Sequence, residues 1–394
     1  MLGYSEPYIL LMTFFALISV FQIFVKSSNT IQNICVLAVD LALILFLGFR
    51  GYILTDWAIL YKDLYTTMPP LYKTTEIWHY ITESTTEPIF LVYASICKCV
   101  SSEYQFFVLI NFLTDLILIH IVFNRYLDKK YWAFFVVIFL GFNGFIFEAN
   151  LMRNTKGLLL FLLSLKYIQE RKFCKFLILN IIGLGFHWTS VFFIPTYFFI
   201  HLFLNRNTYA IILVSTIVLY FIAPYIFDLL GKTIADTIGG KVQERYLTYS
   251  GSGVYNKARG FGLGDIQRYA IAFLFLILYN KMKKERYFYI FINAFCIYII
   301  IAALGANFDI IRTRLSALFL FPIWFLCPQI VNCVTQKSKI ILLLLLLMLP
   351  ALKIYKSVHD DILWEYDNML IGKHKSYEQR MIVFNENYEQ LINR

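Results

Sequence analysis

Long apolar runs separated by short polar connections make up most of this chain. A helix crosses the hydrocarbon core of a bilayer with about 20 residues, each rising about 1.5 Å. We therefore predict an all-α, polytopic integral membrane protein with about twelve transmembrane helices. The candidate spans are residues 7–25, 31–49, 104–124, 131–150, 153–169, 174–187, 188–204, 208–230, 266–280, 287–304, 310–332 and 339–356.

Basic residues in the short connections set the predicted orientation. The clusters within 125–130, 171–175 and 281–286 fall on one side if the N-terminus is outside and residues 88–100 do not cross. Short cytoplasmic loops carry an excess of Lys and Arg, so that side is cytoplasmic. The run 88–100 is too short to span, and we expect it to form a re-entrant or interfacial helix at the outer surface. Both termini are then predicted to lie outside.

The same pattern leaves two long outer loops, residues 50–87 and 231–265. No internal repeat or low-complexity linker divides the chain between the apolar runs. We therefore predict a single integral membrane domain over residues 1–356, followed by a tail over residues 357–394 on the outer surface.

Composition supports the membrane class. Of the 394 residues, 59% are hydrophobic and 15% are charged, whereas a soluble domain has about 25% charged residues. The formal net charge is +10, but the basic residues lie between apolar runs, which indicates topology rather than nucleic-acid binding. The seven cysteines have no spacing that completes a zinc site, and no P-loop, HExxH or GxSxG motif occurs. We expect no metal, no cofactor and no nucleic-acid partner.

Five cationic or titratable side chains lie within or at the ends of apolar runs and, in the predicted topology, on the outer side. They are Arg153, Lys156, His187, Arg312 and Arg314. A charge in hydrocarbon costs about 2.5–3.5 kcal/mol, so such groups persist where they face a partner, a polar cavity or a ligand. Together they predict a site for an anionic substrate at one membrane surface.

These cations also have structural alternatives. Arg153 and Lys156 share one helical face and suit a phosphate or pyrophosphate clamp, yet both could snorkel to lipid headgroups. Glu148 could instead neutralise Arg153 as an ion pair. Arg312 and the arginine two positions later are about 200° apart on a helix, so only one can face a ligand well. The other would pair with Asp309 or with lipid headgroups.

The outer loop 50–87 adds further candidates. Arg50 ends the second span, and Asp56 follows where an enzyme would place a base to take a proton from an acceptor hydroxyl. Glu87 either caps the next helix or acts as a second carboxylate. His187 is structural, a donor to an anion, or a proton carrier. The sequence does not choose the base among Asp56, Glu87 and His187. Aromatic side chains suited to stacking on sugar rings are Trp57, Tyr61, Tyr65 and Trp188.

Three titratable residues lie deeper in the apolar runs: Asp40, Asp115 and His120. Such residues indicate either ion coupling in a transporter or hydrogen bonds between helices. A lipid-linked oligosaccharide flippase is therefore the alternative function. Transporters favour a midplane site and repeated halves, whereas the cations of this chain gather at one predicted surface.

The order of these features resembles the EpsG family of polysaccharide polymerases, which is related in role to the Wzy-type O-antigen polymerases. The matching segments are Arg50-Gly51 with Asp56, Tyr61 and Tyr65; Glu87-Pro88 with Phe90; Arg153; the turn 166–175 followed by Gly185-Phe186-His187 with Ser190; and Arg312-Thr313-Arg314-Leu315. The resemblance runs over most of residues 1–330.

The resemblance implies a GT-C-like membrane glycosyltransferase. Its substrate would be undecaprenyl-diphosphate-linked oligosaccharide repeat units, polymerised into O-antigen or capsule on the outer face of the bacterial cytoplasmic (inner) membrane. Its other partners would be membrane lipid and the flippase and chain-length regulator of the same pathway. The diphosphate leaving group would bind at the predicted cations, which are Arg50, Arg153, Lys156, Arg312 and Arg314.

Overall fold

The computed structural model describes residues 2–240, 243–244, 247, 261–307, 311–371 and 374–392. The described part of the chain is helical, and its one β-type pairing is an isolated bridge between Arg50 and Asn368. The predicted all-α class is confirmed. Asp309 and much of the predicted outer loop 231–265 lie outside the described residues.

Sixteen α-helices are described within these ranges. They are α1 (Glu6–Phe24), α2 (Asn29–Leu43), α3 (Lys62–Thr67), α4 (Thr74–Glu83), α5 (Pro88–Lys98), α6 (Tyr104–Tyr126), α7 (Trp132–Phe139), α8 (Phe145–Ala149), α9 (Met152–Gln169), α10 (Phe173–Phe186), α11 (Arg206–Ile238), α12 (Leu263–Met282), α13 (Phe288–Leu304), α14 (Pro322–Asn332), α15 (Gln336–Val358) and α16 (Tyr377–Ile392). Further helical segments of the described chain have π or 3-10 geometry, among them the π-helices Ile44–Gly48 and Ile311–Leu315 and the 3-10 helix Trp188–Phe198.

Six helical segments of the described chain are long and apolar enough to cross a membrane, which makes this a multi-pass membrane protein. They are Gly3–Phe24, Asn29–Gly48, Tyr104–Tyr126, Lys129–Ala149, Arg206–Ala223 and Gln336–Val358, and the shorter apolar helices are Pro88–Lys98, Phe173–Phe186 and Phe288–Leu304. The predicted number of about twelve spans and the GT-C-like architecture are not confirmed by this count.

Several of the predicted spans are not continuous α-helices, among them 188–204 and 310–332. The apolar run 188–204 contains Pro195, and its helical part is the 3-10 segment Trp188–Phe198. Proline lacks a backbone N–H and disfavours a regular α-helix. The run 310–332 divides between the π-helix Ile311–Leu315 and α14. By contrast, α5 has 11 residues, too few to cross a bilayer, as predicted for 88–100.

The chain divides into two compact units, and this differs from the predicted domains. The first unit contains Met1–Phe199 and Ile340–Asn387, and the second contains Ile200–Lys339 and Tyr388–Arg394. Most of the predicted tail 357–394 is therefore an integral part of the first unit.

Backbone hydrogen bonds explain why the C-terminal segment belongs to the first unit. Gly51 N–H donates to Asp367 O at 2.7 Å, and Leu54 N–H donates to Leu363 O at 2.8 Å. Met369 N–H donates to the carbonyl of Phe49 at 2.8 Å. The segment thus satisfies backbone groups of residues 49–54, and unpaired buried backbone groups are costly.

Candidate functional site

Arg153 is the centre of a polar cluster in the first unit. It lies in the first turn of α9, and its side chain is 18% exposed. Its Nη1 donates to Oε2 of Glu87 at 2.5 Å, and its guanidinium lies 5.9 Å from the ring centre of Phe90. Arg153 therefore pairs with Glu87 rather than with Glu148, the partner considered from the sequence.

Glu87 ties three segments together. It is the N-cap residue of α5, but its side chain makes no capping hydrogen bond to that helix. Instead Oε1 accepts the backbone N–H of Trp188 at 3.0 Å while Oε2 binds Arg153. The capping interpretation of the side chain is thus corrected: the carboxylate links α5, α9 and the start of the 3-10 helix.

Close helix approach at two glycines makes this arrangement possible. A Cβ atom at Gly185 would clash with the side chain of Ile89, which is in the first turn of α5. A Cβ atom at Gly157 would clash with the hydroxyl of Ser190. Gly185 thus brings the start of α5 against the end of α10.

His187 is 9% exposed and lies between α10 and the 3-10 helix. Its Nδ1 accepts the backbone N–H of Thr189 at 3.2 Å and lies 2.8 Å from the Thr189 hydroxyl. That hydroxyl also accepts from Nδ2 of Asn154 at 3.1 Å. Because the backbone N–H of Thr189 can only donate, Nδ1 is an acceptor, and the hydroxyl therefore donates to it. This pattern assigns the neutral tautomer in which the ring proton is on Nε2. Nε2 can therefore act as a hydrogen-bond donor.

Asp56 lies in the same cluster, in a loop of unusual backbone geometry. The backbone N–H groups of Thr55 and Asp56 both donate to Oδ1 of Asn150, at 3.1 and 2.8 Å. Leu54, which comes directly before Thr55, has a φ of 66°, in the left-handed region that non-glycine residues rarely adopt. Asn150 was missed by sequence reasoning, although it stands three positions before Arg153 in the same turn region.

The Tyr61 hydroxyl lies within electrostatic range of both Asp56 and Arg153. Burial raises the pKa of the Tyr61 hydroxyl to about 12, and the negative charge of Asp56 acts in the same direction. Arg153 opposes this shift through its charge and a hydrogen bond to the same residue. Asp56, Tyr61, Glu87 and Arg153 therefore form one electrostatic cluster.

The aromatic residues expected to stack on sugars are mostly in the core. Trp57, Tyr61 and Tyr65 are 2%, 1% and 0% exposed and pack into one apolar cluster with Phe90. Their rings have no accessible face for a sugar, so the prediction for these three is corrected to a packing role. Trp188 is different, because it is 58% exposed and its ring stacks beside His187.

Arg50 is 2% exposed and is occupied by protein groups. Its guanidinium donates to the carbonyls of Leu47 and Glu148, both at 2.9 Å, and contacts the sulfur of Met152 at 3.7 Å. Burial lowers the pKa of this arginine. In this structure Arg50 links the π-helix Ile44–Gly48 to α8 and α9, and it does not present its donors to a diphosphate as predicted.

Lys156 points away from Arg153 into the protein. It is 1% exposed, and its Nζ lies 2.7 Å from Oδ1 of Asp115 and 2.9 Å from Oδ1 of Asn111. Its predicted role in a diphosphate clamp is therefore replaced by an interhelical ion pair between α6 and α9. Glu148 is buried in the same region, at 1% exposure.

The other intramembrane candidates form a second interhelical contact. Nε2 of His120 lies 2.9 Å from Oδ2 of Asp40, and the indole N–H of Trp132 donates to the other oxygen at 3.0 Å. The rings of His120 and Trp132 stack with centres 3.9 Å apart. These contacts fit the structural interpretation of Asp40 and His120 better than ion coupling.

Arg312 and Arg314 belong to the second unit. Arg312 Nη2 donates to Asp265 at 2.5 Å, and Arg268 Nη1 donates to the other oxygen of that carboxylate at 2.6 Å. Arg314 is exposed. Asp265 and Arg268 were not predicted from the sequence. Their spacing of three positions on α12, which places opposite charges on one helical face, could have indicated an ion pair. The convergence of Arg312 with Arg153 on one substrate stays a prediction.

The described residues contain no group of three or more His, Cys, Asp and Glu side chains placed to hold a metal ion. In comparison with protein families, the chain matches the sequence model described as the EpsG family over residues 33–369. This range includes every candidate site residue discussed above. No curated protein and no solved structure matches the chain.

Proposed function

The chain belongs to the EpsG family, and on this premise we propose that it is a membrane glycosyltransferase that polymerises lipid-linked oligosaccharides. The substrate would be undecaprenyl-diphosphate-linked repeat units, joined into O-antigen or capsule on the outer face of the bacterial inner membrane. The observation that supports this most is the cluster around Arg153. It combines a half-buried guanidinium with two carboxylates and a histidine donor at one end of several helices.

In the proposed reaction, an acceptor sugar hydroxyl attacks the anomeric carbon of the donor unit. A new glycosidic C–O bond forms while the bond from that carbon to the diphosphate breaks. The electron pair leaves with the diphosphate, and the hydroxyl proton passes to a base on the protein. Arg153 is proposed to stabilise the departing charge, since an arginine donates two parallel hydrogen bonds to phosphate oxygens.

The hydrogen bonds argue against Glu87 and His187, and Asp56, whose Oδ1 accepts from the Thr55 hydroxyl at 3.3 Å, is the remaining candidate base. Both oxygens of Glu87 are engaged, one by Arg153 and one by the amide of Trp188. His187 accepts at Nδ1, so its Nε2 carries a proton and suits donation to an anion rather than proton removal. We propose Asp56 as base, His187 as a donor to the diphosphate, and the exposed Trp188 as a sugar-stacking residue.

Deletion of the gene tests the function against the flippase alternative. We expect cells to accumulate lipid carrying a single repeat unit, on the outer leaflet, because units are still delivered but are no longer joined. The measurement is the glycan length on the lipid together with its accessibility to a membrane-impermeant glycosidase or lectin. Complementation with the wild-type gene is the control. Accumulation on the cytoplasmic leaflet would instead identify a transporter.

A further inference from the structure

We propose that Asn150 is a positioning residue that holds Asp56 in place beside Arg153. This inference rests on the proposed function, in which Asp56 removes the acceptor proton. Oδ1 of Asn150 accepts two consecutive backbone N–H groups, from Thr55 at 3.1 Å and from Asp56 at 2.8 Å. Both donors are amides, so the atom they meet must be the carbonyl oxygen of the side chain.

The loop needs such a contact because its backbone is in a disfavoured conformation. Leu54 has φ of 66°, and a residue with a Cβ atom keeps this geometry only where its surroundings fix it. On the side of the C-terminal segment, Leu54 N–H donates to Leu363 O at 2.8 Å. On the other side of Leu54, the side chain of Asn150 binds the backbone N–H groups of the next two residues, Thr55 and Asp56.

Asn150 is close in sequence to Arg153, so it links the position of Asp56 to that of Arg153. Asn150 ends α8, where its own N–H donates to Ile146 O at 2.8 Å, and Arg153 lies three residues later at the start of α9. The same short segment therefore carries Arg153 and fixes the backbone of Asp56. A shift of either group relative to the other would misalign leaving-group stabilisation and proton removal.

The experiment uses the full-length protein in liposomes, with lipid-linked repeat units extracted from the deletion strain as substrate. We expect Asn150→Ala to lower kcat about 10- to 100-fold with KM within about threefold, since small misplacements of catalytic groups have effects of this size. Asn150→Asp keeps an acceptor oxygen at the same place and should retain kcat within about threefold. The matched control is Asn33→Ala on α2, which should leave turnover unchanged.

Backbone hydrogen exchange provides a readout that does not depend on turnover. In the wild-type protein and in Asn150→Asp, a peptide covering Thr55 and Asp56 should be protected. In Asn150→Ala the same peptide should exchange faster, while peptides of α9 stay unchanged. Should Asn150→Ala fail to accumulate, Asn150→Gln displaces the amide oxygen and is expected to show the same loss of kcat and protection.

Asp56→Asn, measured in parallel, separates the two proposals. If Asp56→Asn is inactive but folded Asn150 variants turn over normally, the positioning role is wrong and the assignment of the base stands. If Asp56→Asn turns over normally, the assignment of Asp56 as base fails, and with it the positioning role. Loss of activity in Asn150→Asp equal to that in Asn150→Ala would also contradict the positioning role.

Discussion

Arg153→Ala protein should reach the membrane and yet produce no long polysaccharide, leaving single repeat units on the lipid. Removing one well-placed donor to a developing negative charge lowers a rate about 10²- to 10³-fold. The loss should appear mainly in kcat, because the charge on the diphosphate develops as the bond breaks. The measurement is the length distribution of lipid-linked glycan in cells whose only copy of the gene encodes the variant. The amount of protein inserted in the membrane is quantified in the same cells.

The ion pair with Glu87 complicates this variant, so two companions are needed. Arg153→Ala leaves a mostly buried carboxylate at Glu87 without its cation, which destabilises the fold as well. Arg153→Lys keeps a cation beside Glu87 but loses the planar guanidinium, which donates two parallel hydrogen bonds. We therefore expect normal insertion and a partial loss of polymer. Arg171→Ala, in the exposed turn at the other end of α9, removes an equal charge and should leave chain length normal. Normal polymer from inserted Arg153→Ala protein would refute the role of Arg153.

Lys156→Met should destabilise the protein by about 3–5 kcal/mol, because it leaves the buried carboxylate of Asp115 without its cation. This predicts a large fall in the amount of folded protein rather than a specific loss of turnover. The measurement is the apparent free energy of unfolding in mixed micelles, together with the yield of folded protein. Lys166→Met, on the same helix but partly exposed, should change stability by less than about 0.5 kcal/mol.

A double substitution distinguishes the structural role of Lys156 from the diphosphate role predicted by the sequence. Replacing a buried ion pair by apolar residues of similar volume is often neutral or stabilising. Lys156→Met with Asp115→Leu should therefore recover folded protein and polymer together. Recovered folding without any polymer would show that Lys156 acts on the substrate after all.

The helical class and the membrane location, which depend on local sequence pattern, could be predicted from the sequence. Apolar runs and basic connections predicted an all-α membrane protein, and motif order predicted the EpsG family, which the match over residues 33–369 confirms. Glu87 and Arg153 were singled out because charged residues beside apolar helices need a partner. That their partner is each other could not be seen, since 66 positions separate them.

Errors arose where burial or a distant partner decides the role. Tyr65 lies in a predicted outer loop, where an aromatic ring suits a sugar or a core equally well, and only the packing against Phe107 shows that it is core. Lys156 was grouped with Arg153 by helical spacing, but the carboxylate 41 positions earlier on α6 determines where it points. The C-terminal segment looked like a surface tail because its bonds to the 49–54 backbone join parts of the chain over 300 residues apart.

Reconstitution of the protein in liposomes separates the joining of repeat units from their transport. Purified protein in liposomes would receive lipid-linked single repeat units extracted from the deletion strain, with no nucleotide sugar added. If the protein is a polymerase, we expect a ladder of longer lipid-linked glycans and release of one undecaprenyl diphosphate for each linkage formed, both absent with Arg153→Ala. Units that stay single while crossing to the opposite leaflet would contradict this function.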